Sequence, residues 1–323
     1  MRALLVSAAI CGLMACGSVS QHAGPWQRID VGPGPEDLVL DTVSGHRIIA
    51  SCDERRGTDM SRNGFYGIDP VTTVVTPIPV SGLPGSVNLN PHGIDIGTYK
   101  GDTVLYVVNH EESIQSILIF RLGADTLRYV TRLSDPLLVS PNDLCTDHRG
   151  GIYVSNDSGK RNAIFEKLFS LPRSNVVLFD GTKWREVATD IRYANGVGVL
   201  GGRLYVTGTQ EKAVLSYSIG PDGALSDLSR MACPKGSDNI TFHNGRLVST
   251  AHLDFLAFVR HVKKPDHPSP GLVYAMDLQT GTVDTLFMDD GTTISAISTG
   301  LITNGRLFIA QVFNPYIGTV PAN

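Results

Sequence analysis

The sequence predicts an all-β fold, a six-bladed β-propeller around a central tunnel, and three observations carry that prediction. The first is a pattern that recurs six times: a glycine-containing turn, then a strand of β-branched and aromatic residues. It stands at Gly45-His46-Arg47-Ile48-Ile49, Gly101-Asp102-Thr103-Val104-Leu105-Tyr106, Gly150-Gly151-Ile152-Tyr153-Val154, Gly202-Arg203-Leu204-Tyr205-Val206, Gly245-Arg246-Leu247-Val248 and Gly305-Arg306-Leu307-Phe308-Ile309. The glycines are 43 to 60 residues apart, with a mean step of 52. The second is period-2 apolar alternation in the intervals, as in Ser116-Ile117-Leu118-Ile119-Phe120 and Gly271-Leu272-Val273-Tyr274-Ala275, with few runs of helical period. The third is composition: 34 glycines in 323 residues without a three-residue period, 42% apolar residues and only 18% charged, which indicates many turns around a packed core and excludes a disordered chain. One four-stranded blade cannot bury both of its faces. Six stacked around an axis can, and they leave only short edges.

The elements follow in chain order. Met1-Arg2 and the apolar run Ala3 to Ala15 have the length of a secretory signal and are too short to span a bilayer. Leu13-Met14-Ala15-Cys16 reads as a bacterial lipobox, which makes residues 1–15 a lipoprotein signal peptide and Cys16 the lipidated residue. Residues 16–30 are then a tether and 31–323 a single propeller domain. Gly17, where an inner-membrane retention signal would place Asp, directs the anchor to the outer membrane, facing the periplasm of a bacterial cell envelope. Cys52, Cys145 and Cys233 remain in the body, an odd number that permits at most one disulfide and reads as small buried hydrophobes. Ser158 to Arg173 is the one expected helix or lid, with Ile164, Phe165, Leu168 and Phe169 at i, i+1, i+4 and i+5. A net charge of −4 excludes nucleic acid as the main partner.

Acids and amides interrupt the strands at recurring places: Glu36-Asp37, Asn142-Asp143, Asn195 and Asp238-Asn239, each about one strand before a glycine turn, or leading into the first blade. Equivalent positions in successive blades would converge at one end of the tunnel. An oxygen-only donor set suits a hard cation, calcium above all, because softer metals ask for Cys or His. Single Asp and Asn residues before strands are common turn formers, so the argument rests on their in-phase recurrence. His92 and His110 flank one blade's turn and strand, and His252 lies in a later blade.

These segments also carry a resemblance. Pro35-Glu36-Asp37-Leu38, Asn90-Pro91-His92-Gly93-Ile94, Leu105-Tyr106-Val107-Val108-Asn109-His110, Asn142-Asp143-Leu144, Ser155-Asn156-Asp157, Ala194-Asn195-Gly196 and Asp238-Asn239-Ile240, in this order, resemble the paraoxonase/arylesterase family. The resemblance implies a six-bladed propeller with two calcium ions in the tunnel. It implies Glu36, Asn142, Asn195, Asp238 and Asn239 as ligands of a catalytic ion, and Asp37, Asp143 and the Ile94 carbonyl as ligands of a structural one. It implies His92 and His110 as a histidine dyad, His252 as a further active-site histidine and Asp157 as an acid nearby. The related gluconolactonase/regucalcin-like propellers share fold and calcium without the paired histidines. Three features depart from the family: a shorter and different 158–173 region, no amphipathic N-terminal helix, and no cysteine near the C-terminus to join the chain ends.

The expectation is a monomeric calcium-dependent lactonase/arylesterase acting on small lactones or esters, held to the membrane only by its lipid. Water would attack a polarised carbonyl, with His92 as base and His110 orienting it. His92 as a positioning group and Asp238 as base or nucleophile stay open. A gluconolactonase-like sugar lactonase and a non-catalytic, calcium-stabilised binding propeller are the alternatives.

Overall fold

The computed structural model describes residues 21–22, 24–147, 149–161 and 163–322, so the signal peptide and Cys16 lie outside the described residues. Six sheets of four or five strands follow one another around an axis as six blades, antiparallel except where Val80–Ser81 joins the outer edge of blade 2 in parallel. The innermost strands are β1 (Pro35–Asp41), β2 (Pro91–Tyr99), β3 (Pro141–Thr146), β4 (Ala194–Leu200), β5 (Ser237–His243) and β6 (Ile297–Thr303). Each recurring glycine sits in the turn between an inner strand and the strand after it. In four blades this turn is a two-residue loop with positive φ at both positions: Lys100-Gly101, Gly201-Gly202, Asn244-Gly245 and Asn304-Gly305. That is the geometry that matches the twist of a hairpin and that glycine adopts without strain. In the first blade His46, at φ 47°, takes the left-handed position in place of its glycine neighbour.

Among the described residues the apolar core forms six clusters, each wedged between two neighbouring blades. Cys145, Tyr153 and Val176 of blade 3 pack on Val197, Leu204 and Leu215 of blade 4, and Leu38, Ile48 and Ala50 of blade 1 pack on Leu301, Phe308 and Ala310 of blade 6. The ring is closed by sequence ends: Gln27–Asp30 pairs antiparallel with Tyr316–Pro321 as the outer strand of blade 6. Gln21–His22 adds an edge strand to blade 5. The propeller therefore begins before residue 31, and the expected tether up to residue 30 is corrected: its last residues are woven into the sheet.

The inner strands share one irregularity. All six slip register near their start, between the first and third residue in β1 (Pro35/Asp37) and between the first and fourth in the others, at Pro91/Ile94, Pro141/Leu144, Ala194/Val197, Ser237/Ile240 and Ile297/Gly300. Such bulges re-aim side chains. Here they fall on the residues singled out in the sequence. Hydroxyls from second strands hold bulge carbonyls of the next blade: Ser51 Oγ donates to His92 O (2.6 Å), Ser155 Oγ to Asn195 O (2.5 Å), Thr207 Oγ1 to Asp238 O (2.6 Å) and Thr250 Oγ1 to Ser298 O (2.8 Å).

In the expected lid only Ile164–Leu168 is helical (α1). A second helix, α2 (Phe255–Lys263), was not expected from the sequence. The Asp254 carboxylate caps it, accepting from the Leu256 and Ala257 amides at 2.9 and 3.0 Å. Cys52 and Cys145 are buried, Cys233 is half-buried, and all three are free thiols. No helix among the described residues is long and apolar enough to cross a membrane.

Candidate metal centre and its histidines

The bulges bring the polar residues together at one end of the tunnel, and burial fixes their chemistry. Glu36 lies in β1, Asn142 in β3, Asn195 in β4, and Asp238 and Asn239 in β5, all buried. Four oxygens from four blades have no hydrogen-bond partner: Glu36 Oε2, Asn142 Oδ1, Asn195 Oδ1 and Asn239 Oδ1. The amide nitrogens turn away from them. Asn195 Nδ2 donates to Thr209 Oγ1 (3.0 Å), and Asn239 Nδ2 to Thr299 Oγ1 (2.9 Å) and Glu36 Oε1 (3.2 Å). A buried acceptor without a partner costs about 1–3 kcal/mol. Four such oxygens on the inner strands of four blades form a candidate cradle of the kind a hard, oxygen-seeking cation satisfies. Among the described residues no three His, Cys, Asp or Glu side chains gather as a metal site. The cradle is instead a mixed one of carboxylates and carboxamides, which is the donor set calcium accepts and zinc does not.

Electrostatics point the same way. Burial, followed by the neighbouring Asp238 and Asp37 charges and opposed by Arg55, pushes the Glu36 carboxyl well above the usual range. Burial likewise raises Asp143, with Asp37 and Glu36 adding to it. Asp37 is pushed to about 7, again chiefly by burial. Three mutually repelling buried acids bind protons unless a cation neutralises them.

Asp37 and Asp143 lie one residue further along their strands, against a cavity of about 290 Å³ lined by the inner strands of all six blades. Asp37 Oδ1 accepts from Leu38 N–H (2.8 Å) and Thr299 Oγ1 (3.0 Å), and its Oδ2 from Ile94 N–H (2.8 Å). Asp143 accepts from the Leu144 and Val197 amides at 2.8 and 2.9 Å. Ile94, named above for its carbonyl, thus meets Asp37 through its N–H. The sequence reading missed Ser298 and Thr299, the β6 counterparts. Both donate to Glu36 O, at 2.6 and 2.9 Å, and so place the carboxylate. Their signal was legible, since they stand seven and six residues before Gly305, as Asp238 and Asn239 do before Gly245.

Two histidine groups flank the cradle. His252 Nε2 lies 2.9 Å from Asp238 Oδ2, leaving its buried Nδ1 without a partner, and its ring packs on Phe258 of α2 at 4.2 Å. The His92 and His110 rings meet edge to face at 4.9 Å, but each takes its hydrogen bond elsewhere. His92 Nδ1 faces Arg55 Nη2 at 2.9 Å and its Nε2 faces Glu36 Oε1 at 3.6 Å, while His110 Nδ1 meets Gln115 Oε1 at 2.5 Å. Burial, then the Arg55 charge and His110, hold His92 well below the ordinary imidazole range, and burial lowers His110 too. Asp157 accepts from Ser140 Oγ (2.6 Å) and pairs with Lys167 of α1 (2.5 Å).

Fold and candidate site together describe a class: a six-bladed propeller whose inner strands carry buried acids and unpartnered amide oxygens, with histidines beside them. The arylesterase family model matches residues 66–317, more than three quarters of the chain, and the chain belongs to that family. It is 25% identical to serum paraoxonase/arylesterase 2 of Gallus gallus over 240 residues, covering 70% of this chain and 67% of that protein. Among solved structures, a calcium-binding regucalcin from Agrobacterium tumefaciens superposes with a TM-score of 0.58 at 10% identity, covering 93% of this chain and 94% of that one. A gluconolactonase from Xanthomonas campestris gives 0.55 at 16% identity, covering 94% and 100%. These two likenesses establish the fold. Glu36, Asp37 and Arg55 precede the span that the family model matches.

Proposed function

We propose that the protein is a calcium-dependent hydrolase of lactones and aryl esters. The single observation that supports this most is the ring of four bare oxygens on Glu36, Asn142, Asn195 and Asn239, set beside the paired Asp238 and His252 in a member of the arylesterase family. Those four residues with Asp238 would hold the catalytic ion, and Asp37, Asp143 and the Ile94 carbonyl the structural one. When bound, Ca²⁺ supplies a Lewis acid that polarises a substrate carbonyl. The chain's own residues do the rest. Asp238 and His252 on one side, and His92 and His110 on the other, are the groups that orient substrate and water and handle the proton. Phe165 and Phe169 beside α1 and Leu256 on α2 are exposed apolar side chains on the two helical segments that carry Lys167 and Phe258 to the rim, which favours an apolar acyl or aryl group.

The test is hydrolysis of a lactone panel, from gluconolactone to long-chain acyl-homoserine lactone with phenyl acetate alongside, under excess chelator and then with calcium restored. Turnover lost with chelator and regained with calcium is the expected result. Preference for gluconolactone would favour the sugar-lactonase alternative, and a folded, calcium-loaded protein inert on every substrate would leave a binding propeller. We further propose that Cys16 carries a lipid anchoring the protein in the outer membrane. Cys16→Ala should move it from the membrane to the periplasmic fraction.

A further inference from the structure

Arg55 is a group that neither the sequence pattern nor the family match placed at the site. It lies on the loop between the second and third strands of blade 1. Its Nη1 donates to Gly34 O and Val312 O, both at 3.0 Å, which ties blade 1 to blade 6. Its Nε stands 3.9 Å from Asp53 Oδ2, and its Nη2 is 2.9 Å from His92 Nδ1. A guanidinium has five N–H donors, no acceptor, and never loses its proton in a protein. The direction of the bond to His92 is therefore fixed: Arg55 donates and Nδ1 accepts. A neutral imidazole has one donor and one acceptor nitrogen, so the His92 proton is on Nε2, the atom that faces Glu36 Oε1 at 3.6 Å. Gln115 Oε1 in turn accepts from His110 Nδ1, so the Nδ1–H of His110 is taken by Gln115 rather than by His92.

We propose that Arg55 is a positioning residue that locks His92 as its Nε2–H tautomer, so that His92 meets substrate as a hydrogen-bond donor and takes no proton from water. The only lone pair of that tautomer is already used by Arg55. On the other side of the cradle, His252 lies against Asp238 and keeps a bare Nδ1. The catalytic half of this inference rests on the hydrolase reading above, and the tautomer half does not.

The first test is ¹⁵N NMR of the intact chain with labelled histidine, with His92 assigned by its disappearance in His92→Gln. The expected spectrum has a protonated Nε2 and a bare Nδ1 at His92. Arg55→Met should shift His92 to the other tautomer or a mixture, and Arg55→Lys, which keeps a donor, should restore it at least in part. A protonated Nδ1 in the wild type, or an unchanged tautomer in a folded Arg55→Met, overturns the proposal. Because Arg55 also ties two blades, a second variant leaves it in place. Gln at position 92 offers an N–H donor but no basic nitrogen. His92→Gln should lower kcat/KM by about tenfold or less, and His92→Leu by more; a loss of about 10²–10⁴ in His92→Gln, the size of a general base's contribution, overturns the donor role. Should the wild type hydrolyse nothing, the proposed function fails, while the tautomer is still decided by the spectrum.

Discussion

At the scale of single residues, the candidate site leaves buried acceptors without partners and crowds buried acids together. Asn142 buries an oxygen with no partner, so Asn142→Leu should stabilise the chelator-treated protein by about 1 kcal/mol while weakening calcium binding at least about tenfold, read by calorimetry and by the calcium-induced rise in Tm. Asp37 makes the same point through pH. Its carboxyl sits near 7 in the fold, chiefly through burial, against about 3.9 in an unfolded chain. The folded metal-free state therefore binds the proton more tightly. The resulting contribution to stability is full below about pH 4 and is lost as pH rises through 7, and each tenfold gain in proton affinity on folding is worth about 1.4 kcal/mol. Burial moves Glu36 and Asp143 in the same direction. Chelator-treated protein should melt at a lower temperature at pH 8 than at pH 5.5, and saturating calcium should remove or reverse that slope.

At the scale of elements, the bulge at the head of each inner strand does the positioning. Gly93 shows why its neighbours are constrained: a Cβ there would stand 2.6 Å from both Asp143 Cα and Asp143 Oδ1. Gly93→Ala should cost about 1–3 kcal/mol, as overpacking does, and lower calcium affinity by displacing Asp143, measured by denaturant unfolding and calcium titration. Much of this was legible in sequence. The glycine turns stood out because in four blades a two-residue hairpin needs positive φ, and the acids and amides of blades 1, 3, 4 and 5 recur in phase with the glycines. Ser298 and Thr299 were passed over because hydroxyl residues are ordinary in strands, although they hold Glu36 in place. α2 was passed over although Phe255, Phe258, Val259 and Val262 fall at i, i+3, i+4 and i+7, because its nine residues are a short run between strands. Arg55 could not have been placed from sequence, since nothing local says that its loop folds back over His92.

At the scale of the whole molecule, the fold class followed from the repeat, but the closure did not. The strand Gln27–Asp30 buries only Ile29 and is too short to assign to a blade, and only its pairing with Tyr316–Pro321 shows where it belongs. Removing residues 1–31 should therefore leave blade 6 with a bare edge, lowering Tm and promoting aggregation, seen by calorimetry and light scattering. The same pairing has a temporal consequence. The first regular strand of the ring waits for the last, across nearly the entire chain, so the loop it closes is the longest the molecule contains. A nascent chain cannot finish folding until its final residues are released, and contacts of such sequence separation form slowly. Until then the inner strands of the early blades are assembled without a closed tunnel, and the cation cradle, which draws on blades 1, 3, 4 and 5, is among the last features to be completed.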